Sequence, residues 1–220
     1  MWREQPAFAD RRDAGRRLAR ALAPLELADP LVLALPRGGV PVGYEIAQAL
    51  DAQLDVLIVR KIGAPRDPEL GLGAVVDGDP PQLILNQDFV RAIGPKPAYI
   101  DAERDRQIDE MRRRRKLYGA DRAAVSGRHL ILVDDGIATG STVRAALAGL
   151  GQQKPARLVL AVPVAPQDSL HQLQASCDEI ICLSTPELFR AVGEHYADFT
   201  QTTDEEVVSL LAAARARQRR

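Results

Sequence analysis

Residues 130–142 read Leu-Ile-Leu-Val-Asp-Asp-Gly-Ile-Ala-Thr-Gly-Ser-Thr, which indicates a strand, a loop and the start of a helix. The apolar run at 130–133 is typical of a strand buried in a parallel sheet. Four apolar residues after the loop have the spacing of an amphipathic helix: Val143, Ala146, Leu147 and Leu150. The loop is therefore predicted to lie between the carboxyl end of a buried strand and the N-terminus of a helix.

This loop combines a phosphate cradle with two carboxylates. The backbone N–H groups of Ala138 to Thr142 would converge at the positive end of the helix dipole, where phosphate binds readily. Asp134 and Asp135 would repel an isolated phosphate, but carboxylates accept strong hydrogen bonds from sugar hydroxyl groups. A ribose 5-phosphate suits both halves, with its hydroxyls on the two aspartates. The substrate-binding candidates of this loop are Gly136, Ala138, Thr139, Gly140, Ser141 and Thr142, of which Ala138 to Thr142 are assigned to the phosphate.

The order of an apolar strand, two acidic residues and Thr139-Gly-Ser-Thr142 resembles the phosphoribosyl diphosphate motif of the type I phosphoribosyltransferases. The alternative is a generic α/β turn with acidic residues at a strand end, as in receiver or phosphatase-like domains. Those sites use separated acidic residues and usually a lysine rather than a loop of hydroxyl side chains. The match in residue type and in strand-loop-helix context favours the phosphoribosyltransferase resemblance.

A second candidate loop, Leu35-Pro-Arg-Gly-Gly39, ends the first predicted strand and precedes a helix. Gly38 and Gly39 allow a ligand close to the backbone, and the Arg37 guanidinium suits phosphate oxygens. Taken alone, the loop is equally well explained as a tight turn between a strand and a helix. The resemblance implies that it holds pyrophosphate and that the Pro36–Arg37 peptide bond is cis.

A third candidate segment, Val59-Arg-Lys-Ile-Gly-Ala-Pro65, has two adjacent cations at the end of a predicted strand. A solvated loop would explain these residues equally well. The segment resembles the start of the flexible catalytic loop of adenine phosphoribosyltransferases, with the proline one position earlier. The resemblance implies that Arg60 and Lys61 contact the diphosphate as catalytic residues. It also implies that the glycine-rich stretch after Pro65 closes over the substrate as a lid.

Composition indicates a globular protein without a general preference for polyanions. The chain has 220 residues, of which 46% are hydrophobic and 27% charged, and its net charge is -1. This charge predicts no nucleic-acid or membrane partner. The basic run Arg112–Lys116 would surround a helix rather than form one charged stripe, so it does not indicate a nucleic-acid site. The start lacks the apolar core of a signal peptide, so we expect a cytoplasmic protein. Cys177 and Cys182 lack metal-ligand spacing and are interpreted as reduced, packed thiols.

Strand and helix patterns alternate along most of the chain, which is typical of a parallel sheet with helices on both faces. We predict one α/β, Rossmann-like domain over 1–220, with its core at about 28–62 and 128–185. The alternation lapses at about 63–127, where we predict a flexible-loop insertion and a long polar helix. A small hood and a final helix are predicted at about 186–220. Ligand sites in such folds lie at the carboxyl ends of the strands.

The segment Ala191-Val-Gly-Glu-His-Tyr-Ala-Asp-Phe199 resembles the hood that flanks the nucleobase in several phosphoribosyltransferases. The 6-oxopurine enzymes space their Val-Gly and Asp one residue closer, which leaves the role of Asp198 open. Phe189, Tyr196 and Phe199 are candidates for stacking on a base. Aromatic residues at helical spacing are, however, more often part of the core.

Taken whole, the chain resembles a group of bacterial phosphoribosyltransferase-like proteins whose acceptor is not assigned. The resemblance implies transfer of a phosphoribosyl group from 5-phosphoribosyl 1-diphosphate to a nitrogen of a nucleobase or related acceptor. Pyrophosphate would leave, and Mg²⁺ would be bound through the substrate. Where the 6-oxopurine enzymes carry an Asp in the loop, this chain has Ala138, which disfavours hypoxanthine and guanine as acceptors. We also expect a homodimer.

Two alternatives to the enzyme remain. The first is a non-catalytic sensor in which the same pocket binds phosphoribosyl diphosphate or a nucleotide and regulates a protein or nucleic-acid contact. The presence of Arg60, Lys61 and a lid-like loop favours the enzyme, because a sensor does not need a closing cover. The second is a competence-associated protein of the same fold, for which the sequence has no zinc-type cysteine cluster.

Overall fold

The computed structural model describes residues 6–119 and 122–218, so 1–5, 120–121 and 219–220 of the predicted domain lie outside the described residues. The helices are α1 (Arg11–Leu22), α2 (Gly39–Ala49), α3 (Gln87–Ile93), α4 (Pro97–Leu117), α5 (Ser141–Gln152), α6 (Gln167–Leu173) and α7 (Asp204–Gln218). The strands are β1 (Leu31–Ala34), β2 (Gln53–Val56), β3 (Val59–Ala64), β4 (Asp67–Val76), β5 (Gln82–Leu85), β6 (His129–Val133), β7 (Arg157–Val164) and β8 (Glu179–Ser184). Within the described ranges, no helix combines the length and the apolar character needed to cross a membrane.

Five parallel strands form the central sheet in the order β2-β1-β6-β7-β8. Alternate residues of β1 serve its two faces: Val32 and Ala34 pack with α1, α2 and α7, whereas Leu31 and Leu33 pack with α5 and α6. Both faces are covered, which explains the continuous apolar runs of the strands. The predicted parallel sheet with helices on both faces is confirmed. Because β1 and β6 are neighbours, the loops that follow them meet at one edge of the sheet.

The insertion contains a second, antiparallel sheet in the order β3-β4-β5. The sequence predicts a flexible loop from Gly63, whereas in the structure β3 continues to Ala64 and β4 begins at Asp67. The glycines of this stretch lie where backbones approach closely. A Cβ atom at Gly63 would lie 2.6 Å from the Pro68 carbonyl oxygen, and one at Gly73 would overlap the Ile84 carbonyl oxygen. Glycine in a strand often marks such an approach rather than a loop.

A buried ion network joins the insertion to the central sheet. Asp55 and Asp77 are 3% and 4% exposed. Arg115 of α4 donates to Asp77 at 2.7 Å, to Asp55 at 3.2 Å and to the Val56 carbonyl oxygen at 2.7 Å, and Arg122 also donates to Asp77. Burial raises the pKa of Asp55, although Arg115 opposes this shift. The network fixes α4 against the ends of β2 and β4.

The hood, residues 186–203, packs against the N-terminal segment. Phe8 bridges to Tyr196, and its ring centroid lies 5.4 Å from that of Tyr196. The Tyr196 ring also packs on Phe199 at 5.0 Å, and Phe189 stacks on His195 at 5.5 Å. The hood aromatics therefore pack on one another, as the core interpretation predicts, and the chain before α1 completes the hood.

Candidate functional site

The candidate site lies where the loops after β1 and β6 meet. The Leu35 N–H group donates to the Val133 carbonyl oxygen at 2.9 Å. A Cβ atom at Gly38 would overlap Asp135 Oδ2, and one at Gly39 would lie 2.7 Å from the Val133 carbonyl oxygen. The structure thus brings together two motifs that are separated by almost a hundred residues in sequence. Both glycines are needed for this contact because any side chain would separate the loops.

The loop after β1 contains the cis Pro36–Arg37 peptide bond that the resemblance implies. The Arg37 guanidinium lies 4.0 Å from Asp204 Oδ2 at the start of α7, and both side chains are about one-third exposed. The Tyr118 hydroxyl donates to Asp204 Oδ1 at 2.9 Å and fixes this carboxylate. A long, partly exposed ion pair contributes little to stability, so an anionic ligand can compete with Asp204 for Arg37.

The loop after β6 leads directly into α5. Gly140 has φ +71°, a left-handed conformation that favours glycine, and within the described loop no side chain caps the helix. The Arg144 N–H group makes the first intrahelical bond, to the Gly140 carbonyl oxygen at 2.8 Å. The N–H groups before it therefore have no intrahelical partner and are open to an anion. The exposed residues of the cradle are Ala138, Thr139, Ser141 and Thr142.

Contacts from three elements hold the loop after β6 in place. A Cβ atom at Gly136 would lie 2.5 Å from Val192 Cγ1 of the hood. The buried Ile137 donates its N–H group to the Val164 carbonyl oxygen of β7 at 2.9 Å. The Ser169 hydroxyl of α6 donates to the Ala138 carbonyl oxygen at 2.7 Å. The amino-acid sequence alone does not reveal this role of Ser169, because a serine in a helix carries no distinct signal of such a contact.

The two carboxylates of the motif have different surroundings. Asp134 is half-buried and accepts a hydrogen bond from the Asp135 N–H group at 2.9 Å. Burial, and then the neighbouring charge of Asp135, raise the pKa of Asp134 well above its ordinary value. Asp135 instead pairs with Arg11 of α1, whose Nε lies 2.8 Å from Asp135 Oδ2. The Tyr196 hydroxyl donates to the Asp135 carbonyl oxygen at 2.6 Å, and burial raises the pKa of this tyrosine.

Arg60 and Lys61 lie within β3, opposite Val75 and Ala74 of β4. Successive residues of a strand point to opposite faces, so the structure does not bring the two cations together. Arg60 is half-buried and donates to Gln107 Oε1 of α4 at 3.0 Å. Lys61 is exposed on the same face as Ala74, which packs in the cluster of α5. Of these two cations, only Lys61 therefore lies on the face directed towards α5.

The described residues include no group of three or more His, Cys, Asp or Glu side chains able to hold a metal ion. Asp134 and Asp135 provide two carboxylates at the junction of the loops. Mg²⁺ prefers octahedral oxygen coordination and commonly uses one or two carboxylates together with substrate phosphates. The donor set thus fits a magnesium ion only if a ligand supplies most of the oxygens.

Cys177 and Cys182 are free thiols outside this site. Burial raises the pKa of Cys177 to about 11 and also raises the pKa of Cys182. A thiol with a raised pKa carries little thiolate at neutral pH and is a poor nucleophile. This agrees with the interpretation of both residues as packed thiols.

Comparison with known proteins identifies relatives that share most of this chain. Residues 10–198 match the family model described as phosphoribosyl transferase domain. The Mycobacterium tuberculosis H37Rv protein named "Putative phosphoribosyl transferase Rv0571c" is 47% identical over 209 residues, which are 94% of this chain and 47% of that protein. The chain spans about half the length of the curated relatives it matches.

Two solved structures resemble this chain to different degrees. TT1426 from Thermus thermophilus has 46% sequence identity and a TM-score of 0.83, with 94% of this chain and 98% of that chain covered. The AQ2163 protein from Aquifex aeolicus has 13% identity and a TM-score of 0.51, with 83% and 78% covered. The second likeness concerns the fold alone.

Proposed function

Because this chain belongs to the phosphoribosyl transferase domain family, we propose that it transfers the phosphoribosyl group of 5-phosphoribosyl 1-diphosphate to a nitrogen of a nucleobase or related acceptor. Pyrophosphate is the leaving group. The observation that carries this proposal is the contact of the Gly38 backbone with the Asp135 carboxylate. This contact places the loop after β1 on one side of Asp134 and Asp135 and the start of α5 on the other. Such an arrangement supports one pocket for a ribose that carries a 5-phosphate at one end and a diphosphate at the other.

In this proposal, the start of α5 binds the 5-phosphate of the substrate. Its open N–H groups and the hydroxyls of Thr139, Ser141 and Thr142 supply donors, and the helix dipole favours the negative charge. The acidic pair accepts hydrogen bonds from the ribose hydroxyls. The buried Ile137 holds the loop to β7, so the donors need little reorganisation when the ligand binds.

The diphosphate would lie against the loop after β1. Gly38 and Gly39 let the ligand approach the backbone, and Arg37 is available because Asp204 holds it only weakly. Lys61 supplies a further cation from β3. Arg60 stays a predicted contact, but its guanidinium would first have to leave Gln107. Mg²⁺, bound mainly to diphosphate oxygens, would neutralise part of the leaving-group charge.

In this reaction the main role of the protein is to bind the substrate and to orient it towards the acceptor. As the bond between ribose C1 and the diphosphate breaks, the sugar acquires oxocarbenium character and negative charge grows on pyrophosphate. Arg37 and Lys61 would stabilise that growing charge, whereas Asp134 and Asp135 keep C1 directed towards the acceptor. Ala138 places a methyl group at the loop, which cannot act as a general base, and this supports an acceptor other than hypoxanthine or guanine.

A screen for pyrophosphate release tests the proposal. The protein is mixed with 5-phosphoribosyl 1-diphosphate and Mg²⁺, and purines, pyrimidines and small amines are added one at a time. At least one acceptor is expected to release pyrophosphate above the rate without acceptor. If none does while 5-phosphoribosyl 1-diphosphate still binds, the site belongs to a sensor rather than an enzyme.

Lys61→Ala is expected to lower turnover with the best acceptor by roughly 100-fold, because the lost charge acts where negative charge grows in the transition state. Binding of ribose 5-phosphate, which has no diphosphate, should change by less than about twofold. Steady-state rates and calorimetry measure the two quantities. Lys96→Ala removes an exposed lysine from the same insertion and should alter neither. Equal losses of turnover in the two variants would show that Lys61 does not stabilise the leaving group.

A further inference from the structure

One side chain, that of Arg11, links three segments around the acidic pair. Arg11 is the first residue of α1, and its Nε donates to Asp135 Oδ2 at 2.8 Å. Its Nη1 donates to the Thr200 carbonyl oxygen of the hood at 2.7 Å. The guanidinium also lies 3.9 Å from the ring centroid of Phe199. The loop after β6 and the hood are therefore connected through the N-terminal helix.

The burial of Arg11 distinguishes it from the other arginines of α1. The side chains of Arg11 and Asp135 are only 11% and 15% exposed. Three neighbouring arginines have side chains that are 45% to 50% exposed and pair with Glu45 or Asp13: Arg12, Arg16 and Arg17. Removing a guanidinium from water is costly, so this contact has to be made in good geometry. The amphipathic pattern of α1 does not reveal it, because Arg11 is one of several arginines there.

The contact with Arg11 uses one oxygen of Asp135. In the described part of the chain, Asp135 Oδ2 accepts a hydrogen bond from Arg11 and lies beside Gly38, whereas no N–H group donates to Oδ1. The Asp134 carboxyl lies within hydrogen-bond reach of the Asp135 carboxyl. Arg11 therefore fixes the rotamer of Asp135, and Oδ1 can accept a hydrogen bond from a ligand. The positive charge of Arg11 also opposes the rise in the pKa of Asp134 that burial and Asp135 cause.

We propose that Arg11 is a positioning residue of the phosphoribosyl site, which holds Asp135 through Oδ2 so that Oδ1 accepts a ribose hydroxyl. The inference rests on the proposed function, because it takes the sugar hydroxyls as the ligands of the acidic pair. Arg11 need not touch the substrate in this role. Its contacts with Thr200 and Phe199 place the hood in register with the sugar.

The test compares sugar phosphates that differ in one hydroxyl group. Calorimetry gives the affinities of ribose 5-phosphate, of 2-deoxyribose 5-phosphate, which lacks the C2 hydroxyl, and of xylose 5-phosphate, in which the C3 hydroxyl is inverted. The wild-type protein is expected to prefer ribose 5-phosphate by about tenfold or more, the effect of one charge-assisted hydrogen bond. Arg11→Gln should reduce one of the two preferences to less than about threefold, namely that for the hydroxyl held by Asp135.

The ratio of affinities separates positioning from a structural role. A variant that merely folds less well binds all three sugar phosphates more weakly and keeps both preferences. Arg12→Gln, the same substitution at the next residue, should keep them as well, since Glu45 retains Arg16. Arg11→Lys retains the charge but lacks the fork of the guanidinium, and should restore part of the lost preference.

Wild-type preferences in Arg11→Gln would overturn the inference and leave the proposed function standing. Should Arg11→Gln fail to fold, Arg11→Lys provides the same comparison. Its preference for the hydroxyl held by Asp135 is expected to be lower than that of the wild-type protein. An unchanged preference in Arg11→Lys would then overturn the inference. Failure of the wild-type protein to bind both 5-phosphoribosyl 1-diphosphate and ribose 5-phosphate would overturn the proposed function itself.

Discussion

The double variant Asp134→Asn/Asp135→Asn is expected to bind 5-phosphoribosyl 1-diphosphate more weakly than the wild-type protein by about 100-fold or more. Each carboxylate would lose a charge-assisted hydrogen bond worth ~1.5 to 3 kcal/mol, and every 1.4 kcal/mol corresponds to about tenfold in affinity. Calorimetry in the presence of Mg²⁺ measures the dissociation constants. Asp101→Asn/Asp105→Asn removes two exposed carboxylates from α4 and serves as the control for net charge. An unchanged dissociation constant in the first variant would place the sugar elsewhere.

The same carboxylates should affect stability in opposite directions. The folded-state pKa of Asp134 is raised, so the folded chain holds this proton more tightly than the unfolded chain. Ionised Asp134 thus lowers stability at neutral pH, and Asp134→Asn should preserve or raise the free energy of unfolding. Asp135→Asn instead leaves the buried Arg11 with a neutral partner and should lower the free energy of unfolding. Thermal unfolding of the single variants separates these effects from the loss of binding.

Arg115→Ala is expected to lower the free energy of unfolding by about 3 to 5 kcal/mol, because it leaves Asp55 and Asp77 buried without their shared cation. For a chain of this size, the midpoint of thermal unfolding should fall by roughly 6 to 20 °C. Scanning calorimetry or circular dichroism measures the midpoint. Arg112→Ala removes an exposed arginine from the same helix and should shift the midpoint by no more than about 3 °C. Similar midpoints for the two variants would contradict a structural role for the buried network.

The central sheet could be predicted from the sequence because parallel strands covered on both faces are continuously apolar. The strand at 129–133 and the helix that begins at Ser141 follow from local pattern alone. The meeting of the Gly38 loop with the acidic pair follows from the topology, since carboxyl ends of neighbouring parallel strands lie together. Local sequence and one topological rule thus account for most of the candidate site.

The rest depends on contacts that local sequence does not encode. The sequence pattern predicts a loop at Gly63 and Gly73, whereas both glycines permit close approach of antiparallel strands. Arg60 and Lys61 are adjacent in sequence, yet the alternation of β3 places them on opposite faces. Arg11 reaches Asp135 across a sequence separation of 124 residues. Arg11 and Asp135 meet only because α1 packs on the sheet.

Titration of the wild-type protein with 5-phosphoribosyl 1-diphosphate and Mg²⁺ shows whether the loops after β1 and β6 form a phosphoribosyl diphosphate site. Calorimetry should show binding in the micromolar range. At a ligand concentration about 100-fold above the dissociation constant, linkage predicts a gain of ~2.7 kcal/mol in the free energy of unfolding, which is visible as a higher unfolding temperature. The absence of both binding heat and thermal stabilisation at millimolar ligand would contradict the assignment of the two loops to a phosphoribosyl diphosphate site.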